Sequence, residues 1–379
     1  VKEIESLAEL MEHLDEARSL ADVVVQGLDL RGESARLLDV TLAGATFLGC
    51  DLADEVLAAA HRAGALVFPG IPNVPYAPYR GRLYSVEELY AGFEPERPES
   101  YAHTLDARIY QHFLRTGGPK PSTILETLAR RLHDHAITDA MRDLLYDVHQ
   151  PRRIVAIMGG HAMPRGSADY ARVARIAREL AERGFFMVSG GGPGAMEATH
   201  LGVWFAGRED GELDAALAIL GRAPTYDHSE WLSRAFEVRT RHPPAELLPS
   251  LSVPTWLYGH EPPNAFATHT AKYFANSVRE DGLLTIATAG VVFAPGTAGT
   301  IQEVFQDACQ NHYKTVGVVS PMIFLGEGYW KWTRPVFPLL AQLAAGREYA
   351  QFLAITDDEA EVVAALERYS AANPPGAFR

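Results

Sequence analysis

The residues best suited to chemistry lie in one short run. Phe293-Ala294-Pro295-Gly296-Thr297-Ala298-Gly299-Thr300-Ile301-Gln302-Glu303 reads as the end of an apolar strand, a tight glycine turn and the start of a helix. Glycines let the backbone approach a ligand closely, and the free N–H groups of a helix N-terminus bind phosphate. The chemistry on offer is anion binding beside a carboxylate, Glu303, in the first helical turn. Thr300 and Glu303 also match a capping box, which needs no ligand. The run alone does not separate these two readings.

Two further loops repeat the design. Ser189 is followed by Gly190, Gly191, Gly192, Pro193 and Gly194, and then by a helix that opens with Ala195, Met196 and Glu197. Gly159-Gly160-His161, with Arg165 and Ser167 close behind, supplies a candidate phosphate clamp or sugar contacts. A solvated Arg165 and a structural His161 account for those two residues equally well.

The elements that must position these loops are legible as periodicity. Ile154–Met158, Phe185–Val188, Thr255–Tyr258, Gly290–Phe293 and Val316–Val319 are short apolar runs. Between them lie helical patterns at Tyr170–Arg183, Ala195–Phe205, Thr300–Gln310 and Asp358–Tyr369. Continuous apolar strands alternating with helices predict an α/β fold around a buried, doubly wound parallel sheet. Ligands bind such sheets beyond the carboxyl ends of the strands, where all three glycine loops fall.

The first 150 residues differ in character. Residues 1–20 carry helical spacing (Ile4, Leu7, Leu10, Met11, Leu14), and 53–65 look helical. Leu37, Leu42, Phe47 and Leu52 recur every five residues, with Ala35, Val40, Ala45 and Cys50 two places before each. One coil of pentads is too few for a repeat fold, so short strands in a small appended layer are the expectation. A helical block over 85–149 follows, and His149-Gln150-Pro151-Arg152-Arg153 reads as a linker. The division predicted is an N-terminal α+β accessory domain, 1–150, and a nucleotide-binding domain, 151–379.

Composition narrows the function. A net charge of −14 repels a phosphate backbone and argues against nucleic-acid binding. Two cysteines make no disulfide framework, and no ligand cluster demands a metal. No run reaches the 18 or so apolar residues of a membrane span, and the charged first segment does not read as a signal peptide. The expectation is a soluble, cytoplasmic protein.

The motifs GGGPGAMEA (Gly190–Ala198) and PGTAGTIQE (Pro295–Glu303) resemble the two signatures of the LONELY GUY (LOG) family, formerly misnamed lysine decarboxylases. The resemblance extends through Gly328-Tyr329-Trp330 and Ile355-Thr356-Asp357-Asp358, covering about residues 152–370. It implies a Rossmann-like fold and a phosphoribohydrolase that releases a free base and ribose 5-phosphate from a nucleoside 5'-monophosphate, without cofactor or metal. The additional N-terminal block makes the chain similar to the longer bacterial nucleotide nucleosidases, and implies a homodimer or higher oligomer. A carrier protein that holds a phosphorylated ligand without hydrolysis is the alternative on the same fold.

By position, the resemblance places the family's catalytic glutamate on Glu303 and its catalytic arginine on Arg279, one residue from the expected spacing, which falls on Glu280. Arg279-Glu280-Asp281 stands where the family has Arg-Lys, and Thr297 replaces the second motif glycine. Phosphate is expected on the N–H groups around Gly296, Thr297, Ala298, Gly299 and Thr300. His260, Glu261 and Asn264 are candidates to read base or ribose, although turn chemistry explains Pro262-Pro263-Asn264 equally.

Overall fold

The computed structural model describes residues 2–146 and 152–374. Two compact units emerge, one formed by residues 1–83 and 111–143, the other by 84–110 and 144–379. Residues 149–151 of the predicted linker lie outside the described residues. The division is not a single cut, because residues 84–110 fold with the larger unit.

The smaller unit begins with β1 (Lys2–Ile4), α1 (Leu7–Ala17), β2 (Val23–Gln26), α2 (Ser34–Leu38), β3 (Thr46–Leu48), α3 (Asp54–Ala63) and β4 (Leu66–Phe68). The four strands form one parallel sheet in chain order. The helix expected from residue 1 starts only at Leu7. Ser6 and Glu9 close a full capping box there, and the residues before it pair with β2. The pentads do not form a coil: the first lies in α2 and Phe47 in β3, so their leucines share a core without sharing a conformation. Glu3, Asp139 and Asp143 bring carboxylate oxygens within 4.8 Å of one another in this unit. Burial and the neighbouring Asp139 raise Glu3 and Asp143 above the usual carboxylate range.

The helical block expected over 85–149 resolves, among the described residues, into α4 (Val86–Leu89), α5 (Leu105–Arg115) and one long helix, α6 (Ile124–Leu145). The larger unit then runs β5 (Arg153–Met158), α7 (Ala168–Glu182), β6 (Phe185–Ser189), α8 (Ala195–Trp204), α9 (Asp210–Leu220), α10 (Trp231–Arg241), β7 (Leu251–Ser252), β8 (His269–Thr270), α11 (Asn276–Ile286), β9 (Gly290–Phe293), α12 (Ala298–Tyr313), β10 (Met322–Leu325), α13 (Val336–Ala344), β11 (Leu353–Thr356) and α14 (Glu359–Ala372). All seven strands are parallel, in the order β11-β10-β9-β5-β6-β7-β8. This is the doubly wound, Rossmann-like sheet, and its order reverses between β5 and β9. The central strands are buried throughout, which is why they read as unbroken apolar runs.

Two predicted strands are displaced. Thr255 makes only an isolated parallel bridge with Tyr273, and Trp256–Tyr258 then turns into a 3₁₀ helix, capped by the Thr255 hydroxyl, which accepts the Leu257 N–H at 3.1 Å. Val316–Val319 is buried at its end but forms no strand. The Tyr369 hydroxyl takes the Val319 carbonyl, and Asn311 takes both backbone groups of Ser320. The strand begins after Pro321, at Met322.

Residues 84–110 join the larger unit through buried polar contacts. Tyr84 exchanges backbone hydrogen bonds with Thr270. Lys272 and Asp106, both fully buried, pair at 2.5 Å, and the Tyr101 hydroxyl donates to the second Asp106 oxygen at 2.8 Å.

Close packing of α7 on α8 sets where the glycine loop after β6 emerges. Gly202 is the contact point: a methyl group there would stand 2.2 Å from the Ala174 carbonyl oxygen. Gly202→Ala is expected to lower stability by about 1–3 kcal/mol through overpacking, read from urea denaturation. An unchanged midpoint would show that the two helices are not held this close.

Candidate functional site

The loops after β5, β6 and β9 converge at the carboxyl edge of the sheet. Together with the turn after β7 and the first turns of α12, they enclose a cleft of about 400 Å³. Gly159, Gly160 and His161 line it from the first loop, Gly190, Gly192 and Met196 from the second, and Thr297, Ala298, Gly299 and Thr300 from the third.

The helix cap decides between the two sequence readings of the third loop. α12 starts at Ala298, its N-cap is Thr297, and no side chain accepts from its first N–H groups. The Thr300–Glu303 capping box is not formed, since Thr300 lies inside the helix. The uncapped N–H groups and the helix dipole are thus turned toward the cleft, an arrangement suited to an anion. Thr297 has φ −107°, so the position makes no demand for glycine and threonine is unstrained there.

Glu303 sits a turn and a half into α12 with its side chain 15% exposed. Arg279, on α11, approaches from the other side. Its Nε donates to the Val253 carbonyl at 2.9 Å, and its Nη1 stands 3.9 Å from both Glu303 Oε1 and Glu280 Oε1. Glu280 is itself fixed, accepting from Asn276 Nδ2 at 2.6 Å and Gln302 Nε2 at 3.0 Å. Burial pushes the Glu303 carboxyl up to about 7; Arg279 pulls it down and Glu280 adds to the rise. A carboxyl that titrates near neutrality is suited to gaining and losing a proton. One turn further, Asp307 is buried with Oδ2 lacking a hydrogen-bond partner, and burial pushes it up to about 8.

No family model matches this chain, and no curated protein matches it. Among solved structures, the molybdenum cofactor carrier protein from Chlamydomonas reinhardtii is similar at 15% identity, covering 58% of this chain and 99% of its own, with a TM-score of 0.37. The molybdenum cofactor binding protein from the phototrophic bacterium Rippkaea orientalis is similar at 13% identity, covering 57% of this chain and 96% of its own, with a TM-score of 0.36. Likenesses of this size say nothing about what the present chain binds. Among the described residues, no helix is long and apolar enough to cross a membrane.

Several residues singled out in the sequence lie elsewhere. Arg165, 1% exposed, is a core residue and not a phosphate clamp. It forms a bidentate pair with the fully buried Glu197 at 2.7 and 2.5 Å, donates to the Trp231 carbonyl and lies over the Trp231 ring. Glu197 is therefore not a ligand contact either, and it also accepts from the Tyr170 hydroxyl. Ser167 caps α7 through the Tyr170 N–H. Asn264 is buried: its Oδ1 accepts from the Phe266 and Ala267 N–H groups, and its Nδ2 donates to the Gly191 carbonyl. Gly191 and Gly194 shape the second loop. Gly194 has φ +69°, and a Cβ there would lie 2.2 Å from the Gly160 carbonyl oxygen. The Gly296 carbonyl accepts from the Tyr329 hydroxyl. His260 lies outside the cleft wall, whereas Glu261 lines it.

The cleft also contains residues that sequence reasoning did not select as ligand contacts: Pro254, Thr255, Tyr258, Glu280 and Gln302. Gln302 and Glu280 stood beside the chosen pair, and their helical spacing was the available signal. Pro254 and Thr255 carried none.

Glu197→Gln is expected to leave the Arg165 guanidinium buried without a counter-charge and to cost about 3–5 kcal/mol. Chemical denaturation measures it. A variant as stable as the parent would mean the pair is hydrated in solution.

Proposed function

We propose that the chain is a nucleoside 5'-monophosphate phosphoribohydrolase, which cleaves the N-glycosidic bond to a free base and ribose 5-phosphate. The observation that carries this reading is Glu303: a carboxyl pushed up to about 7, beside a buried arginine, on the helix whose uncapped N-terminus faces the same cleft. The likeness of Gly190–Ala198 and Pro295–Glu303 to the paired LOG signatures supports it.

The chemistry follows from the placement. The phosphate takes the N–H groups of Ala298, Gly299 and Thr300, which puts the ribose near Glu303. As the bond from C1' to the base nitrogen lengthens, its electron pair leaves with the base, which takes up a proton from solvent, and Glu303 later returns to solvent the proton it gains from the attacking water. Positive charge builds on C1' and the ring oxygen. The Glu303 carboxylate stabilises that charge and accepts a proton from the water that attacks C1'. Arg279, anchored on Val253 and shared between two carboxylates, orients Glu303 and offers its remaining N–H groups to the substrate.

Purified protein is expected to release base and ribose 5-phosphate from at least one of AMP, GMP, IMP, CMP and UMP. Glu303→Gln should lower kcat by about two to four orders of magnitude, the usual worth of a general base. Because the ionised form acts, the rate should rise with pH through about 7 and fall away on the acid side. Tight nucleotide binding with no base released from any of the five would replace this reading by that of a non-catalytic carrier.

A further inference from the structure

The cleft continues past the reacting centre, and its far end has its own chemistry. Arg279 Nη2 lies against Gly190, Met196 fills the space beside Gly190 and Gly192, and Glu261 Oε2 would stand 3.6 Å from a methyl group on Gly192. Arg279, Met196 and Glu261 therefore follow one another along a single wall. A polarisable thioether is a good surface for a flat ring. Beyond it, the Glu261 side chain is 13% exposed.

Glu261 receives no hydrogen bond from any described residue. The nearest donors are the imidazoles of His161 and His260, with Nε2 at 3.9 and 3.8 Å from Oε1, too far for a hydrogen bond. Tyr226, on the loop between α9 and α10, packs its ring against both imidazoles, with centroids 6.1 and 6.4 Å away. The result is an aromatic rim around a carboxylate whose two oxygens take no hydrogen bond from the described residues. An ionised carboxylate accepts only, on two oxygens side by side, and this one lines the cleft.

We propose that Glu261 reads the base and selects one whose edge carries two neighbouring N–H donors, as the N1–H and exocyclic amine of guanine do. The inference rests on the nucleotide reading of the cleft. Adenine and cytosine set one amine donor beside a ring nitrogen that is itself an acceptor, so a carboxylate oxygen meets a lone pair. Hypoxanthine and uracil offer a single N–H, flanked by a carbon or by carbonyl oxygens. Phosphate and ribose contacts are common to all five nucleotides, so discrimination falls to this end of the cleft.

The test is calorimetric binding of GMP, AMP, IMP, CMP, UMP and ribose 5-phosphate to full-length Glu303→Gln, which suppresses turnover, with and without Glu261→Gln. With Glu261 intact, GMP should bind about tenfold or more tighter than AMP, the order expected of a bidentate base contact. Glu261→Gln should abolish that preference and shift it toward AMP, since a carboxamide offers one donor and one acceptor. Ribose 5-phosphate should bind unchanged, which also reports that the variant is folded. Equal affinities across the five nucleotides, or GMP binding unaffected by Glu261→Gln, would overturn the proposal. Should the double variant lose ribose 5-phosphate as well, the GMP-to-AMP ratio with Glu261 intact decides alone. Discrimination by a protein that hydrolyses nothing keeps this base subsite and removes the nucleosidase reading; hydrolysis without discrimination does the reverse.

Discussion

One residue, Gly160, holds the site together. The Gly160 N–H donates to the Pro295 carbonyl at 3.0 Å, and the Gly160 carbonyl accepts from Ala195 at 3.2 Å. The loop after β5 is thereby bonded to the loops after β9 and β6, the two neighbours of β5 in the sheet. Each loop by itself is a run of small residues with little to bury. Bonded to one another at the point where the strand order reverses, they become a rigid rim. Every distance in the cleft inherits its value from that rim and from the helices that continue it.

On this frame the Glu303 end of the cleft is a balance of three charges. Arg279 is tethered to a backbone carbonyl and stands equally far from two carboxylates, one pinned by Asn276 and Gln302, the other facing the cleft. Had Arg279 paired closely with Glu303, the carboxyl would have been drawn toward the ordinary acidic range and lost its use near neutrality. Sharing the guanidinium with Glu280 lets burial dominate. Glu280, next to Arg279 in the chain, has a physical place in this arrangement, because it competes for the arginine.

The sequence was most informative where structure is local or periodic. Strands buried on both faces read as apolar runs, glycine loops mark strand ends, and Glu303 follows from its distance to the loop. Long-range pairing was not legible. Nothing in the spacing of Arg165 and Glu197, thirty-two positions apart, shows that they neutralise each other inside the core, and a phosphate clamp was an equally natural reading of the arginine. Val316–Val319 failed for a related reason. The Val319 carbonyl is taken by a side chain from α14 and the backbone of the next residue, Ser320, by one from α12, and no local pattern reveals such substitutes for a ladder. The cap on α12 shows the limit in miniature: Thr-x-x-Glu is present, but the helix begins three residues too early for it to act as a box.

The way residues 84–110 join the larger unit bears on how this chain can be divided. Their flanking segments, 1–83 and 111–143, belong to the smaller unit, so the polypeptide visits the larger body, leaves it and comes back. Among the described residues, the Lys272 ammonium pairs with a carboxylate from that first visit, Asp106. A gene cut at the apparent linker would therefore delete the counter-ion of a cation sealed in the retained half. The two bodies are interleaved along the sequence rather than joined end to end, and neither could have been acquired, exchanged or lost as a simple terminal cassette.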